Sequence, residues 1–278
     1  MRVTCVIDDT DQPNSPFQSE HGLAFLIEAE SRRVLFDTGQ SGSVLLHNLD
    51  LLGVEPATID AVAISHAHYD HTGGLPALLE FLRPGIPLYA HSDLFRGRYT
   101  ERDGQTKSVG IASDLEELAA RLALELNAVP QGIIPGLWTT GEISQRPEPL
   151  GSSDHHRMRQ GDDLVADAYR DDMSLVLHLD DALLLLCGCC HAGLLNTIAH
   201  VQRTFERPIA AIAGGLHLIS TSAEELQRIG ALLAAMPQLR RVYPSHCTGE
   251  KAFAALVDKL GPDVVRPCRA GTVLDLAV

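Results

Sequence analysis

The chain predicts a layered α/β sandwich, two β-sheets face to face with helices outside, and three observations carry that expectation. Short strand-like runs and helix-like runs are mixed along the whole length, each half opens on a hairpin pattern, and helices alternate with strands thereafter. With 278 residues, 45% of them hydrophobic, there is apolar material for a full core. The length fits one domain, residues 1–278, carrying an insert.

Taken in order, Met1–Ile7 reads as a strand, too short and wrongly flanked for a signal peptide. Ala24–Glu28 and Arg33–Phe36 flank the polar Glu30-Ser31-Arg32 as a hairpin would. Asp37-Thr38-Gly39 ends that second strand, and Ser43–Leu52 has helical spacing. Ala61–Ile64 is a short buried strand running into a histidine-rich segment. Gly73-Gly74 follows, then a helix through Leu82 that Pro84-Gly85 stops. From about residue 93 to 172 the pattern weakens. Arg96–Val109 is polar, Leu115–Leu126 has the look of a helix, and Gln145–Asp163 is rich in Pro, Ser, Asp and Arg, so this stretch is expected to be an insert or lid. Alternation then resumes with a hairpin, Leu175–Leu179 and Leu183–Cys187, around Asp180-Asp181. A helix at Leu194–Thr204, a strand at Ile209–Ala213, a helix at Ala223–Ala235 and a strand at Arg241–Tyr243 come next. A helix at Lys251–Leu260 and a closing strand at Thr272–Leu276 complete the series.

Composition narrows the function classes. A formal charge of −14 argues against a nucleic-acid groove. No apolar run is long enough to span a membrane. Three of the six cysteines crowd into Cys187, Cys189 and Cys190, poor spacing for a disulfide framework, so a reducing cytoplasm is expected.

The chemistry concentrates in His66, His68, Asp70 and His71, four potential ligands within six positions after a buried strand. In an extended segment residues two apart point the same way, so His66 and His68 can reach one ion together. Asp70 and His71, at the turn into the helix, address a neighbouring point. Imidazole and carboxylate suit zinc, and also iron or manganese. Gly73 and Gly74 leave room for a close backbone approach.

The run Ser65-His66-Ala67-His68-Tyr69-Asp70-His71-Thr72-Gly73-Gly74 resembles the signature of the metallo-β-lactamase superfamily, and Phe36-Asp37-Thr38-Gly39-Gln40 resembles its strand-end motif upstream. Glu20-His21-Gly22-Leu23, Gly39-Gln40-Ser41-Gly42, Gly188–Gly193, Gly214–Leu218 and Ser245–Glu250 follow in an order similar to the dihydropteroate-synthase-like branch. Its members are often named for 7,8-dihydropterin-6-methyl-4-(ribofuranosyl)aminobenzene-5′-phosphate synthase. The resemblance implies the αββα fold and assigns Asp37 to orienting the ligands, a support that metal sites commonly need. Many members carry a Gly-Asp pair whose Asp bridges two ions; here Gly188-Cys189 stands there, which puts a standard two-ion cage in doubt.

His191 and His246 each follow a strand, so His191 is expected to complete the His66–His68 site and His246 the Asp70–His71 site. Cys189 and Asp172, or Asp171 next to it, are additional candidate ligands. His217, also at a strand end, is a candidate for substrate contact or acid–base work, alongside Asp70. The expected cofactor is one or two divalent ions, zinc first. The expected reaction is hydrolysis of a phosphoester, lactone or related ester by hydroxide on the metal, acting on an anionic small molecule that Arg96, Arg98, Arg102, Arg157 or Arg159 could meet. The rivals are a pterin-diphosphate arylamine transferase, iron redox chemistry, and a non-catalytic metal-binding protein. The remaining histidines, His21 among them, are expected to be ordinary surface or core residues, and His155 and His156 in the polar insert are expected to be solvated unless a lid brings one inward.

Overall fold

The computed structural model describes residues 1–276. The first half runs β1 (Arg2–Ile7), β2 (Ala24–Ala29), β3 (Arg32–Phe36), α1 (Gly42–Leu51), β4 (Ala61–Ala63), α2 (Tyr69–Thr72), α3 (Leu75–Leu79) and β5 (Pro87–Ala90). Then come β6 (Arg98–Arg102), β7 (Gln105–Ser108), α4 (Leu115–Arg121), β8 (Ala123–Leu126), β9 (Gly132–Ile134), β10 (Leu137–Thr139), β11 (His156–Gln160) and β12 (Asp163–Ala166). The second half closes with β13 (Ser174–His178), β14 (Leu183–Cys187), α5 (Leu194–Phe205), β15 (Ile209–Gly215), α6 (Ala223–Ala234), β16 (Arg241–Ser245) and α7 (Glu250–Leu260).

Two six-stranded sheets form, ordered β1-β2-β3-β4-β5-β8 and β16-β15-β14-β13-β10-β9. Strand alternation explains how three apolar layers arise from one sequence. Along β2, Phe25 and Ile27 face the other sheet while Ala24 and Leu26 face the helices. Along β14, Leu184 and Leu186 face inward, and Leu183, Leu185 and Cys187 face α5 to α7. The inner layer therefore holds Val3, Phe25, Val34, Phe36, Leu175, Leu177, Leu186 and Ala213. One outer layer packs Leu45, Leu49, Leu75, Leu78 and Leu118 under α1, α3 and α4, and the other packs Ile198, Val201, Leu226, Ile229, Leu233 and Leu256 under α5, α6 and α7. This is the expected αββα sandwich.

The stretch 93–172 divides among three sheets. β8 extends the first sheet beside β5, β9 and β10 extend the second, and only β12-β11-β6-β7 forms a separate four-stranded sheet. The helix expected over Leu115–Leu126 ends at Arg121, because Ala123–Leu126 pairs in parallel with Pro87–Ala90. Edge pairing outweighs the helix propensity of a Leu- and Ala-rich run. The polar Arg96–Val109 turns out to be a hairpin, β6 and β7, reversing at Asp103-Gly104 where both residues have positive φ. The closing strand at Thr272–Leu276 is reduced to an isolated bridge between Thr4 and Val273. Among the described residues no helix is long and apolar enough to cross a membrane.

The sheets position the site through strand direction. β3 and β4 are parallel, as are β14, β15 and β16. Parallel strands deliver their carboxyl ends to one edge, so Asp37, His66, Cys189, His217 and His246 all follow strand ends that meet there.

Candidate metal centre

Four of the imidazoles in the cluster, those of His66, His71, His191 and His246, are each held by one ring nitrogen and present the other. Asp37, fully buried just past β3, receives Ser65 N–H and Ser65 Oγ–H at 2.7 Å each and His71 Nδ1–H at 2.7 Å. Since the Ser65 proton goes to Asp37, His66 Nδ1 donates to Ser65 Oγ, at 2.8 Å. One carboxylate thereby fixes two imidazoles with Nε2 outward, the orienting part expected of Asp37. His191 donates Nδ1–H to the Gly151 carbonyl at 2.7 Å, and its Nε2 is buried without a hydrogen-bond partner. His246 donates Nδ1–H to Asp9 at 2.6 Å, while its backbone N–H is fixed by Asp8 at 2.7 Å. Gly73 and Gly74 do make a close approach possible, to the Thr38–Gln40 backbone: a Cβ on Gly74 would lie 2.1 Å from the Thr38 carbonyl oxygen.

The free atoms converge. His66 Nε2 lies 3.1 Å from His68 Nδ1, and the His191 ring is centred 4.8 and 4.9 Å from those of His66 and His68. Beside them, Asp70 Oδ2 is 3.3 Å from His246 Nε2 and 3.6 Å from His71 Nε2. Cys189 Sγ belongs to both neighbourhoods: its ligand atom is within 4.8 Å of those of His66 and His191, and equally of those of His71 and His246. Its sulfur is 3.2 Å from His71 Nε2. A tetrahedral zinc with bonds of about 2.0–2.1 Å to nitrogen and about 2.3 Å to sulfur separates its ligand atoms by roughly 3.3–3.8 Å. The observed spacings, together with the orphaned His191 Nε2, fit such an ion.

Electrostatics agree with that use for the group of His66, His68 and His191. Burial, then neighbouring histidines, push His66 and His191 well below the ordinary imidazole range, and burial holds His68 down at about 3, so all three are neutral and able to ligate. Burial alone would raise Asp70, but His71 and His246 beside it hold its carboxyl well below the usual range.

Of the expected site residues, His66, His68, Asp70, His71, His191, His246 and Cys189 are brought together. Asp172 is not among them. Its carboxylate accepts the Ala192 N–H at 2.8 Å and so holds the loop bearing His191. His217 stands beside the cluster, its ring 4.4 Å from that of His191, in the left-handed conformation at φ +47°. Burial opposes a charge on it, but Cys247 nearby raises its pKa.

Several functional neighbours escaped the sequence reading. His21 places Nε2 3.4 Å from Asp70 Oδ2; His156, expected to be solvated unless a lid brought it in, does face inward and lies edge-on with its ring 4.8 Å from that of His68. Asp8, Asp9, Tyr169 and Cys247 also border the cluster, and Asp171, a candidate ligand alongside Asp172, instead accepts the Ala67 N–H between His66 and His68. Asp8 and Asp9 end an apolar strand just as Asp37 does, and that shared placement was the available signal. Of the arginines proposed to meet substrate, Arg98 is buried against Asp167 and Asp171, at 2.9 and 2.8 Å. Arg96 pairs with Asp93, Arg157 with Glu101, and Arg159 lies over Tyr99. Arg102 alone of the five lines the cavity above the cluster, joined there by Lys107.

That cavity measures about 670 Å³ and has His68, Asp70, Cys189, His191, His217, His246 and Cys247 on its floor. The model of the metallo-beta-lactamase superfamily matches residues 20–163. Over 99% of its length the chain is 30% identical to the 7,8-dihydropterin-6-methyl-4-(beta-D-ribofuranosyl)-aminobenzene-5′-phosphate synthase of Methanocaldococcus jannaschii, covering 96% of that protein. The solved structure of Tm1679, described as a metal-dependent hydrolase of the beta-lactamase superfamily, superposes over 100% of both chains with a TM-score of 0.85 and 26% identity. Zinc-bound PqqB from Methylobacterium extorquens shares the fold, with a TM-score of 0.62 at 13% identity over 99% of this chain and 100% of that one. Signature, architecture and end-to-end similarity agree, and the chain belongs to the metallo-beta-lactamase superfamily.

Proposed function

We propose that the chain is a metal-dependent enzyme that hydrolyses a phosphoester or related ester of a small anionic molecule. The observation that carries this is the cavity itself, with a ligand cluster on its floor and Arg102 and Lys107 on its wall. His66, His68 and His191 would hold one ion, Asp70, His71 and His246 a second, and Cys189 lies where it can serve both. Zinc is the first choice for imidazole and thiolate donors. When bound, divalent ions supply Lewis-acid polarisation of the reacting ester and hydroxide at neutral pH.

The chain's own residues do the rest. Asp37 and Asp9 fix the ring orientation of His71 and His246, so the ligand atoms need no reorganisation. Arg102 and Lys107 attract and orient the anionic end of the substrate. The four-stranded sheet carrying them, with His156 and Tyr169 below, walls the reacting centre from bulk water.

A second reading, transfer of a pterin diphosphate to an arylamine, is favoured by the end-to-end similarity to a named synthase. One experiment separates the two. Metal-loaded protein is given a hydroxymethylpterin diphosphate with and without an arylamine acceptor, and a panel of phosphoesters and lactones in parallel. Ester cleavage without acceptor supports the hydrolase. Pyrophosphate release only with acceptor supports the transferase, and no turnover with zinc, manganese or iron overturns both. In the productive assay Arg102→Ala should raise KM about tenfold, reflecting the loss of one charge-assisted contact of roughly 1.5 kcal/mol; an unchanged KM would remove Arg102 from the site.

A further inference from the structure

Cys247 follows the candidate ligand His246 and is not used by either histidine group. Its sulfur is 3.4 Å from Cys189 Sγ, and the ligand atoms of Cys189, Cys247 and His217 all lie within 4.8 Å of one another. Two thiolates on one tetrahedral zinc stand roughly 3.8 Å apart, so the sulfur pair needs to open by only a few tenths of an ångström. The surrounding backbone is fitted closely to this group. A Cβ on Gly215 would come 2.4 Å from the Gly188 carbonyl oxygen and 2.8 Å from Cys247 Sγ, so only glycine lets the β15 end pass between the Gly188-Cys189 backbone and the Cys247 sulfur. His217 is held in the left-handed conformation, uncommon for a residue with a side chain, and its Nδ1 is buried without a partner. All six cysteines are free thiols.

We propose that Cys247, Cys189 and His217 bind a thiophilic divalent cation, at a position beside the two histidine groups and distinct from them in having two sulfur donors. The inference rests on Cys189 being a metal ligand. It assigns His217 to ligation in place of the acid–base part that its strand-end position suggests. Because Cys189 is common to all three groups, a cation held by Cys247 competes for the sulfur that would otherwise join the histidine groups. Soft cations are therefore drawn to this position and hard ones are not.

The test uses the full chain, purified reduced and stripped of metal, titrated with cobalt(II) and separately with cadmium(II). Thiolate coordination gives a sulfur-to-cobalt charge-transfer absorption that imidazole and carboxylate ligands do not. The expected result is a charge-transfer band that loses roughly half its intensity in Cys247→Ser, as one of two sulfurs is removed, with the number of bound cobalt ions lowered as well. His217→Ala, which keeps both thiols, should weaken cobalt retention against a chelator by about 10-fold or more. Circular dichroism verifies that both variants fold. A native protein without the band, or a Cys247→Ser variant with unchanged band and stoichiometry, overturns the site. So does a Cys189–Cys247 disulfide that persists in the presence of zinc. Turnover is recorded separately. Ester cleavage without a Cys247-dependent band leaves the catalytic reading standing and removes this site, whereas the band without turnover does the reverse.

Discussion

At the scale of single residues, the site depends on carboxylates that never face the cavity. Asp37 is wholly buried, yet it sets the direction of two imidazoles through three hydrogen bonds of 2.7 Å. Replacing it with Ala frees the His71 ring and deprives Ser65 of its acceptor. Metal affinity measured by chelator competition should fall about 10- to 100-fold, and a fall under about threefold would show that the rings are held by packing alone. Asp9→Ala is expected to act in the same direction through His246, and more weakly, because Asp8 still grips the His246 backbone. The primary ligands were legible in the sequence because their spacing is local: four donors in six positions need no tertiary contact to be noticed. Their supporters were mostly not. Asp9 and His246 are 237 positions apart, and nothing in a single sequence pairs them. His156 was only half legible, its inward position being one of two expected. It sits in a polar stretch with no apolar periodicity, and only the pairing of β11 with β6 turns it inward.

At the scale of elements, the four-stranded sheet is tied to the metal segment by buried charge. Arg98 on β6 pairs with Asp167 and Asp171, and Asp171 accepts the N–H of Ala67, between His66 and His68, at 2.9 Å. Burial pushes the Asp167 carboxyl above its usual range, and Arg98 offsets that only in part. Arg98→Ala would strand two carboxylates in the interior, a loss of about 3–5 kcal/mol by urea unfolding. A loss below about 1 kcal/mol would mean that water or local relaxation compensates. The strands of both main sheets were largely legible because alternation or continuous apolar runs mark them. β5, β8, β9 and β10 were not, since strands of three or four residues carry little pattern and Leu115–Leu126 satisfies a helix equally well. The β6–β7 turn was marked by Asp103-Gly104, but its flanking residues are too polar to declare strands.

At the scale of the whole molecule, acidic charge and metal binding act together. The chain carries a formal −14, and divalent ions beside Asp70 and Cys189 would offset part of it. Binding to the folded state alone stabilises it by mass action, about 2.7 kcal/mol at a free metal concentration 100 times the Kd. For a chain of this size that corresponds to a midpoint roughly 5–10 °C higher in thermal unfolding. Scans with and without chelator measure it; identical midpoints would imply either no metal or equal affinity for the unfolded chain.

The division of the sheets has a further consequence. Every strand of the first sheet lies within residues 2–126 and every strand of the second within 132–245, with Val129 exposed between them. The ligands divide the same way, His66 to His71 on one side and Cys189 to His246 on the other. A metal ion here would act as a clasp between two half-molecules. Cut near Val129, the chain becomes a candidate for fragment complementation, in which the shared apolar layer and the β6–β11 pairing would hold the halves and metal would tighten their association.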